Sequence, residues 1–248
     1  MEIASSRLLP AKLFTGTRYR ATTAQVFPAH LRESIVAGCA SEHICFLGVS
    51  LENKNFENNR FSAMLEWIAK RFSACKILIG DSIHRITLEA TKGMPADEAL
   101  EYGLRLGRLF IEENTHLIES FRHKLTCEFI TCSEIQRCKD YNKIRLEIDN
   151  YFTRSSEFRA SVELFGRKYH EKNWQGLHSA ELSKRIRRSA EYFLEEFAIF
   201  ACLAREGIDV MIYPGTFSSL ADIAEGKFRG VSKDLEQLKF VSLRLKGR

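Results

Sequence analysis

In the stretch HICFLGVSLENKNF, His43 to Phe56, an apolar run from Ile44 to Leu47 ends in Gly48, Val49 and Ser50 and then turns polar. A serine delivered to the carboxyl end of a buried strand is either an accident of packing or a nucleophile. As a nucleophile it would carry an acyl group as an ester and split one transfer into two easier ones. Asn53 follows three residues later. Farther along, Tyr192 and Glu196 stand four apart in a helix-period segment, so they share one helical face, one turn from each other. Tyr213 closes another apolar run and precedes Pro214. Taken singly, Tyr192 reads as a core or rim aromatic and Glu196 as a solvated acid. With Phe193, Ile199 and Phe200 beside it, however, Glu196 is placed where a carboxylate would be buried and would need a partner.

Several chemistries lack local support. Gly48-Val49-Ser50-Leu51-Glu52 puts Glu where the esterase elbow G-x-S-x-G needs its second glycine. There is no G-x-x-x-x-G-K-[ST] phosphate loop and no G-x-G-x-x-G after the first strand. His84 opens a helix, His116 lies on one and His43 starts the strand, so none is placed as a general base. A serine hydrolase of another kind would need a histidine within reach of Ser50.

The elements that must position these groups alternate. Apolar, β-rich runs at Ile44–Val49, Lys76–Gly80, Cys127–Thr131 and Asp209–Tyr213, with FVSLRL at 240–245 as a fifth, are separated by helix-period segments at about 57–73, 96–124 and 180–206. Such alternation predicts an α/β fold, a Rossmann-like parallel sheet of about five strands flanked by helices. In such sheets the ligand crevice lies beyond the carboxyl ends of the strands, which would bring Ser50 and Tyr213 to one rim. Residues 41–248 read as a single domain, with 134–178 as a helical insertion that could form a lid. Residues 1–40 carry Arg7, Lys12, Arg18, Arg20 and Arg32 against Glu2 and Glu33 and read as a basic, partly flexible arm.

The 248 residues carry a formal net charge of +5, a mild bias toward a polyanionic partner. No apolar run approaches the roughly 20 residues of a membrane span, and no leader-like apolar region opens the chain, so a soluble, cytoplasmic protein is expected. Seven cysteines, an odd number with no Cys-x-x-Cys pair, predict free thiols and no structural zinc.

Gly48 to Phe56, then Phe61, Leu65 and Trp67, then Asp81 with ITLEATKGMPADEAL, the Tyr192/Glu196 pair and Tyr213 together resemble the cyclodipeptide synthase family, from about residue 43 to 225. The chain departs from the family pattern at several places. His43 is seven rather than six residues before Ser50, Phe46 replaces a smaller aliphatic, Phe193 an aliphatic, and Ala198 a proline. Pro214 after Tyr213 is similar to the family's Tyr-Pro branch, whereas Asn53 is more typical of the other branch. The resemblance implies a catalytic domain similar to that of class I aminoacyl-tRNA synthetases and an enzyme that makes a cyclic dipeptide from two aminoacyl-tRNAs. The ester is already activated, so neither ATP, metal nor other cofactor is expected, and the enzyme would act as a monomer.

In that scheme Ser50 carries the first aminoacyl group, Tyr192 and Glu196 hold the substrate's α-amino group with Asn53 as an added anchor, and Tyr213 relays protons. Gly48 leaves room beside the strand, Phe46, Ile199 and Met211 wall the first side chain, and Pro214 borders the site. The second side chain is expected among residues 134–178. For the tRNA the family's basic stripe corresponds to Arg105 and Arg108, here flanked by Glu98, Glu101, Glu112 and Glu113. Lys184, Arg185, Arg187 and Arg188, or Lys70 and Arg71, are further candidates. The alternative is a non-catalytic tRNA-binding module with a synthetase-like fold, which predicts loss of the catalytic side chains.

Overall fold

The apolar runs pair into one six-stranded sheet in a computed structural model that describes residues 17–38, 43–173, 179–215 and 218–247. The strands are β1 (Tyr19–Phe27), β2 (Cys45–Val49), β3 (Ala74–Ile79), β4 (Thr126–Thr131), β5 (Val210–Tyr213) and β6 (Lys239–Gly247). Their order is β1-β6-β5-β2-β3-β4, parallel from β6 to β4, with β1 antiparallel at the edge. Helices α1 (Arg32–Ala37), α2 (Asn58–Ala69), α3 (His84–Lys92), α4 (Ala96–Phe121), α5 (Cys132–Ile135), α6 (Tyr141–Arg154), α7 (Ser156–Asn173), α8 (Ser179–Arg205) and α9 (Ser218–Ala224) cover it. The expected Rossmann-like architecture is present, with one strand more than expected.

That extra strand corrects the reading of residues 17–38 as an arm. Tyr19 to Phe27 pairs with β6 from Tyr19↔Gly247 to Phe27↔Phe240, with an irregularity between Thr23 and Gln25. As an edge strand it buries only Ala21 and Val26 and leaves Arg20 and Gln25 exposed, so its alternation is too weak to stand out. Residues 1–16 of the expected arm lie outside the described residues, as does Cys39.

Residues 134–173 are likewise not a lid. Tyr141, Ile144 and Ile148 of α6 and Phe158 and Val162 of α7 are buried in the same cluster as Phe193 and Phe197 of α8. Phe158 meets Tyr151, Phe152, Phe197 and Phe228 at ring-centre distances of 5.2–6.3 Å. Helical spacing of apolar residues signals a buried face, and here that face completes the core. Residues 174–178 lie outside the described part.

Strand alternation divides the core between the two faces of the sheet. Cys45, Leu47 and Val49 point toward α2 and α4, together with Phe61, Leu65 and Ile68. Phe46 points the other way, into the cluster built on α8. By the same period of two, Gly48 and Ser50 follow Phe46, so the serine leaves β2 on the α8 side.

On the other flank α4 comes unusually close to the turn after β3. A Cβ at Gly103 would lie 2.5 Å from the Asp81 carbonyl oxygen, and one at Gly107 2.7 Å from Asp81 Cβ, so the approach depends on glycine. Asp81 itself accepts hydrogen bonds from Ser133 N (2.9 Å) and Ser133 Oγ (2.6 Å), tying the turn to α5. Among the described residues no helix is long and apolar enough to cross a membrane. Cys45, Cys75, Cys127, Cys132, Cys138 and Cys202 are free thiols.

Candidate active site

β2 and β5 are parallel neighbours, so their carboxyl ends lie side by side and deliver Ser50 and Tyr213 to one point. Ser50 Oγ and the Tyr213 hydroxyl are 2.9 Å apart, within hydrogen-bonding distance. Asn53 caps the short 3-10 turn after the strand, its Oδ1 accepting from Asn55 N at 3.0 Å, while its Nδ2 donates to the Tyr213 hydroxyl at 3.4 Å. Asn55 Nδ2 in turn donates to the Pro214 carbonyl at 3.5 Å, linking this loop to the one after β5. A Cβ at Gly48 would lie 3.4 Å from Met211 Cε and 3.7 Å from Tyr213 Cδ2, so the glycine's space is taken up by these two side chains.

Helix α8 crosses this rim and contributes Tyr192 and Glu196 from one face. Burial pushes the Tyr192 phenol well above its ordinary pKa, Glu196 and Tyr213 add to the shift, and a hydrogen bond with Ser50 opposes it. Burial likewise raises Tyr213, with the Ser50 and Asn53 hydrogen bonds working against it. Ser50, Asn53, Tyr192, Glu196 and Tyr213 are thus gathered from three separate stretches of chain.

Two adjacent carboxylates on α8 show what distinguishes the site from its support. Glu195 and Glu196 are both buried, at 8% and 7% exposure. Glu195 is fully engaged. Arg85 reaches its two oxygens at 2.9 and 2.5 Å, and Gln136 Nε2 donates to Oε2 at 3.0 Å. Glu196 has an Oε2 with no hydrogen-bond partner, and burial alone raises its pKa to about 8. A buried acceptor left unpaired costs about 1–3 kcal/mol, which a cationic ligand arriving at that atom would offset.

The cavity in front of Ser50, Tyr192 and Tyr213 has a volume of about 370 Å³, in the range of small-ligand sites, and Glu196 lies behind its wall rather than among its lining residues. The loop after β2 (Ser50 to Asn53), α3 (His84, Ile86, Thr87, Ala90), α8 (Ser189, Tyr192, Phe193) and Tyr213 line it. Phe46, Ile199 and Met211, expected to wall the first side chain, are completely buried in the α8-side core and line none of it. They point inward and pack on their own kind, Phe46 against Phe200 at 5.2 Å. The apolar wall comes instead from Leu51, Ile86, Ala90 and Phe193.

The α3 side was not foreseen. His84 faces the cavity, and its Nε2 lies 3.0 Å from Glu52 Oε2, while Lys92 Nζ is 3.1 Å from both Glu52 oxygens. Glu52 takes a left-handed φ of 58°, uncommon for a residue with a Cβ, and these two contacts hold it there. Burial lowers the His84 pKa, only partly opposed by Glu52. Among the described residues no hydrogen bond joins His84 to Ser50, so the geometry is not that of a serine–histidine dyad.

The basic candidates are dispersed. Arg105 and Arg108 are exposed on α4, Arg105 stacked 4.8 Å from the Tyr102 ring centre. Lys70 and Arg71 follow the carboxyl end of α2, the opposite end from the Ser50 loop, and Arg71 lies over the Trp67 ring at 4.2 Å. Lys184, Arg185, Arg187 and Arg188 lie together on α8 beside the end of α3.

The family model for cyclodipeptide synthases matches residues 32–204. The chain belongs to this family. No curated protein sequence matches it, but solved structures do. A cyclodipeptide synthase from Fluoribacter dumoffii superposes with a TM-score of 0.76 at 16% identity, covering 94% of this chain and all of that one. The synthase from Candidatus Glomeribacter gigasporarum, solved bound to Phe-tRNAPhe, gives 0.60 at 17% identity, over 83% and 87% of the two chains. A Mycobacterium tuberculosis protein, whose structure related cyclodipeptide synthetases to type I tRNA synthetases, gives 0.63 at 17% identity over 92% and 96%. As a cyclodipeptide synthase the chain is a peptide-bond-forming aminoacyltransferase on a synthetase-like fold.

Proposed function

We propose that this cyclodipeptide synthase joins two aminoacyl-tRNAs into a diketopiperazine by a ping-pong route through an aminoacyl ester on Ser50. The observation that carries the reading is the Ser50–Tyr213 contact of 2.9 Å beside a buried Glu196 with an unpartnered oxygen. Ser50 Oγ bonds to the carbonyl carbon of the first ester as the bond to the tRNA ribose oxygen breaks, and the hydroxyl proton passes to that departing oxygen. No histidine is needed, because the leaving group itself takes the proton.

The α-ammonium of the aminoacyl group is held by Glu196 and Tyr192. Burial raises the Glu196 carboxyl, while an ammonium bound beside it would draw it back toward ionisation, so its proton can be exchanged with the amine. The carboxylate can therefore both bind the ammonium and release a neutral amine for attack. The amine of the second aminoacyl-tRNA attacks the Ser50 ester, and Tyr213 returns a proton from that nitrogen to Ser50 Oγ as the C–Oγ bond breaks. The remaining free amine then attacks the ester still attached to tRNA, closing the ring and releasing the second tRNA. Positioning by Asn53 and the two tyrosines contributes on the order of several kcal/mol to such transfers.

Pro214 directly after Tyr213 favours the Tyr-Pro branch. The proposed enzyme acts as a monomer in the cytoplasm, where aminoacyl-tRNAs are made. The test is expression in a bacterium, with mass spectrometry of the medium for new diketopiperazines and of the intact protein for an aminoacyl adduct. Product without any adduct on Ser50 under trapping conditions refutes the covalent route.

A further inference from the structure

An ester that enters the cavity arrives at the end of a polyanion, so the groove along which the tRNA leads away must accept phosphates. Among the described residues, a pair of grooves shares lining with the cavity. One, of about 740 Å³, shares the Ser50–Asn53 loop and carries Glu52, Glu57 and Glu113 against Lys54. The other, of about 690 Å³, shares Ala90 and Thr91 at the end of α3 and runs between α3 and the amino-terminal half of α8. It carries four cations against Glu89, Glu181 and Glu191. A phosphodiester is repelled from the first and drawn to the second.

The four cations of the second groove fall into two classes. Arg185 bonds Glu181 at 2.9 Å and the Ala90 carbonyl at 3.4 Å, and Arg188 pairs with Glu89 of α3 and Glu191. These two arginines brace α8 against α3 and neutralise the groove's own carboxylates. Lys184 and Arg187 are exposed and enter no ion pair among the described residues. Three residues apart, they stand on one helical face as neighbours.

We infer that the groove between α3 and α8 receives the phosphodiesters at the 3′ end of the aminoacyl-tRNA, and that Lys184 and Arg187 are its phosphate contacts. The inference rests on the proposed substrate class and sharpens it: two of the four basic side chains bind and two are structural. Arg105 and Arg108, on α4, line neither groove.

The test compares the wild type with a K184Q/R187Q variant whose melting temperature shows that it is folded. Binding of fluorescently labelled, deacylated bulk tRNA is followed by anisotropy over a range of KCl. Diketopiperazine formation is measured from pooled aminoacyl-tRNA and from the aminoacyl-adenosine that ribonuclease A releases from the same pool, an ester with no phosphate. The variant is expected to bind tRNA about tenfold more weakly, with a log–log salt slope shallower by about 1.4 for two lost contacts at ~0.7 each on a single strand. Its rate on aminoacyl-tRNA relative to aminoacyl-adenosine falls by a similar factor. An unchanged salt slope, or an equal loss on both esters, overturns the inference. A wild type that makes no cyclic dipeptide from either ester overturns the proposed substrate instead, and the anisotropy measurement still decides the groove.

Discussion

The two faces of the sheet are packed to different ends. On the α2–α4 face, Phe61, Leu65 and Ile68 meet Leu47, Ile77 and Ile212 in hydrocarbon contact, with Phe61 and Phe110 edge to face at 5.5 Å. On the α8 face an equally buried cluster also encloses the Glu195–Arg85 pair, Tyr192 and Glu196 with its unpaired Oε2. The first arrangement is the one stability favours. The second tolerates a buried carboxyl group with an unpaired oxygen, which in the proposed mechanism is satisfied by the substrate's amino group.

The contrast can be broken from either side. Ser50→Ala should lower diketopiperazine formation by about 10³-fold or more and remove the acyl adduct, with little change in urea stability. Phe61→Ala, on the other face, should cost about 3–5 kcal/mol in urea unfolding while activity per folded molecule persists. Glu196→Gln should slow transfer about 10²-fold, since a charge-assisted contact to the ammonium is lost.

The same Glu196→Gln substitution sharpens the comparison through pH. The folded protein holds the Glu196 proton up to about pH 8, whereas the unfolded chain releases it near 4.5, so the wild type loses stability as pH rises across that window. The glutamine variant lacks this loss. Its melting temperature relative to wild type should therefore climb between about pH 4.5 and 8 and level off above; a constant difference would mean Glu196 is not held protonated. Smallest of all, Arg188→Gln should cost about 1 kcal/mol, its pairs being partly exposed, as read from denaturant midpoints.

Sequence pattern made the five parallel strands legible because each carries a short cluster of apolar, β-favouring residues, continuous and buried on both faces in β2 and nearly so in β5, and broken by Lys76 in β3, Glu128 in the edge strand β4 and Ser242 and Arg244 in β6. The β1 edge strand was hidden because it buries one side only. The spacing of Tyr141, Ile144 and Ile148 showed a helix but not its packing partner, which is why α6 and α7 read as a lid. At the site, Tyr192 and Glu196 were visible from their four-residue spacing. Glu52 and His84 were not, since their contact joins residues 32 apart through a left-handed backbone turn. Nothing in the dipeptide Glu195-Glu196 says which acid has an arginine waiting for it.

By itself, the sequence determined the succession of strands and helices, the position of Ser50 just past the end of β2, and the types of group available for acyl transfer. These depend on periodicities of two and 3.6 that operate within a few residues. Only the tertiary structure decided that Ser50 and Tyr213 meet, that Glu195 is satisfied while Glu196 is not, and that Phe46, Ile199 and Met211 belong to the core rather than to the cavity. Hydrogen bonding and desolvation act over a few ångströms between groups up to 163 residues apart, and that proximity exists only once the sheet has closed.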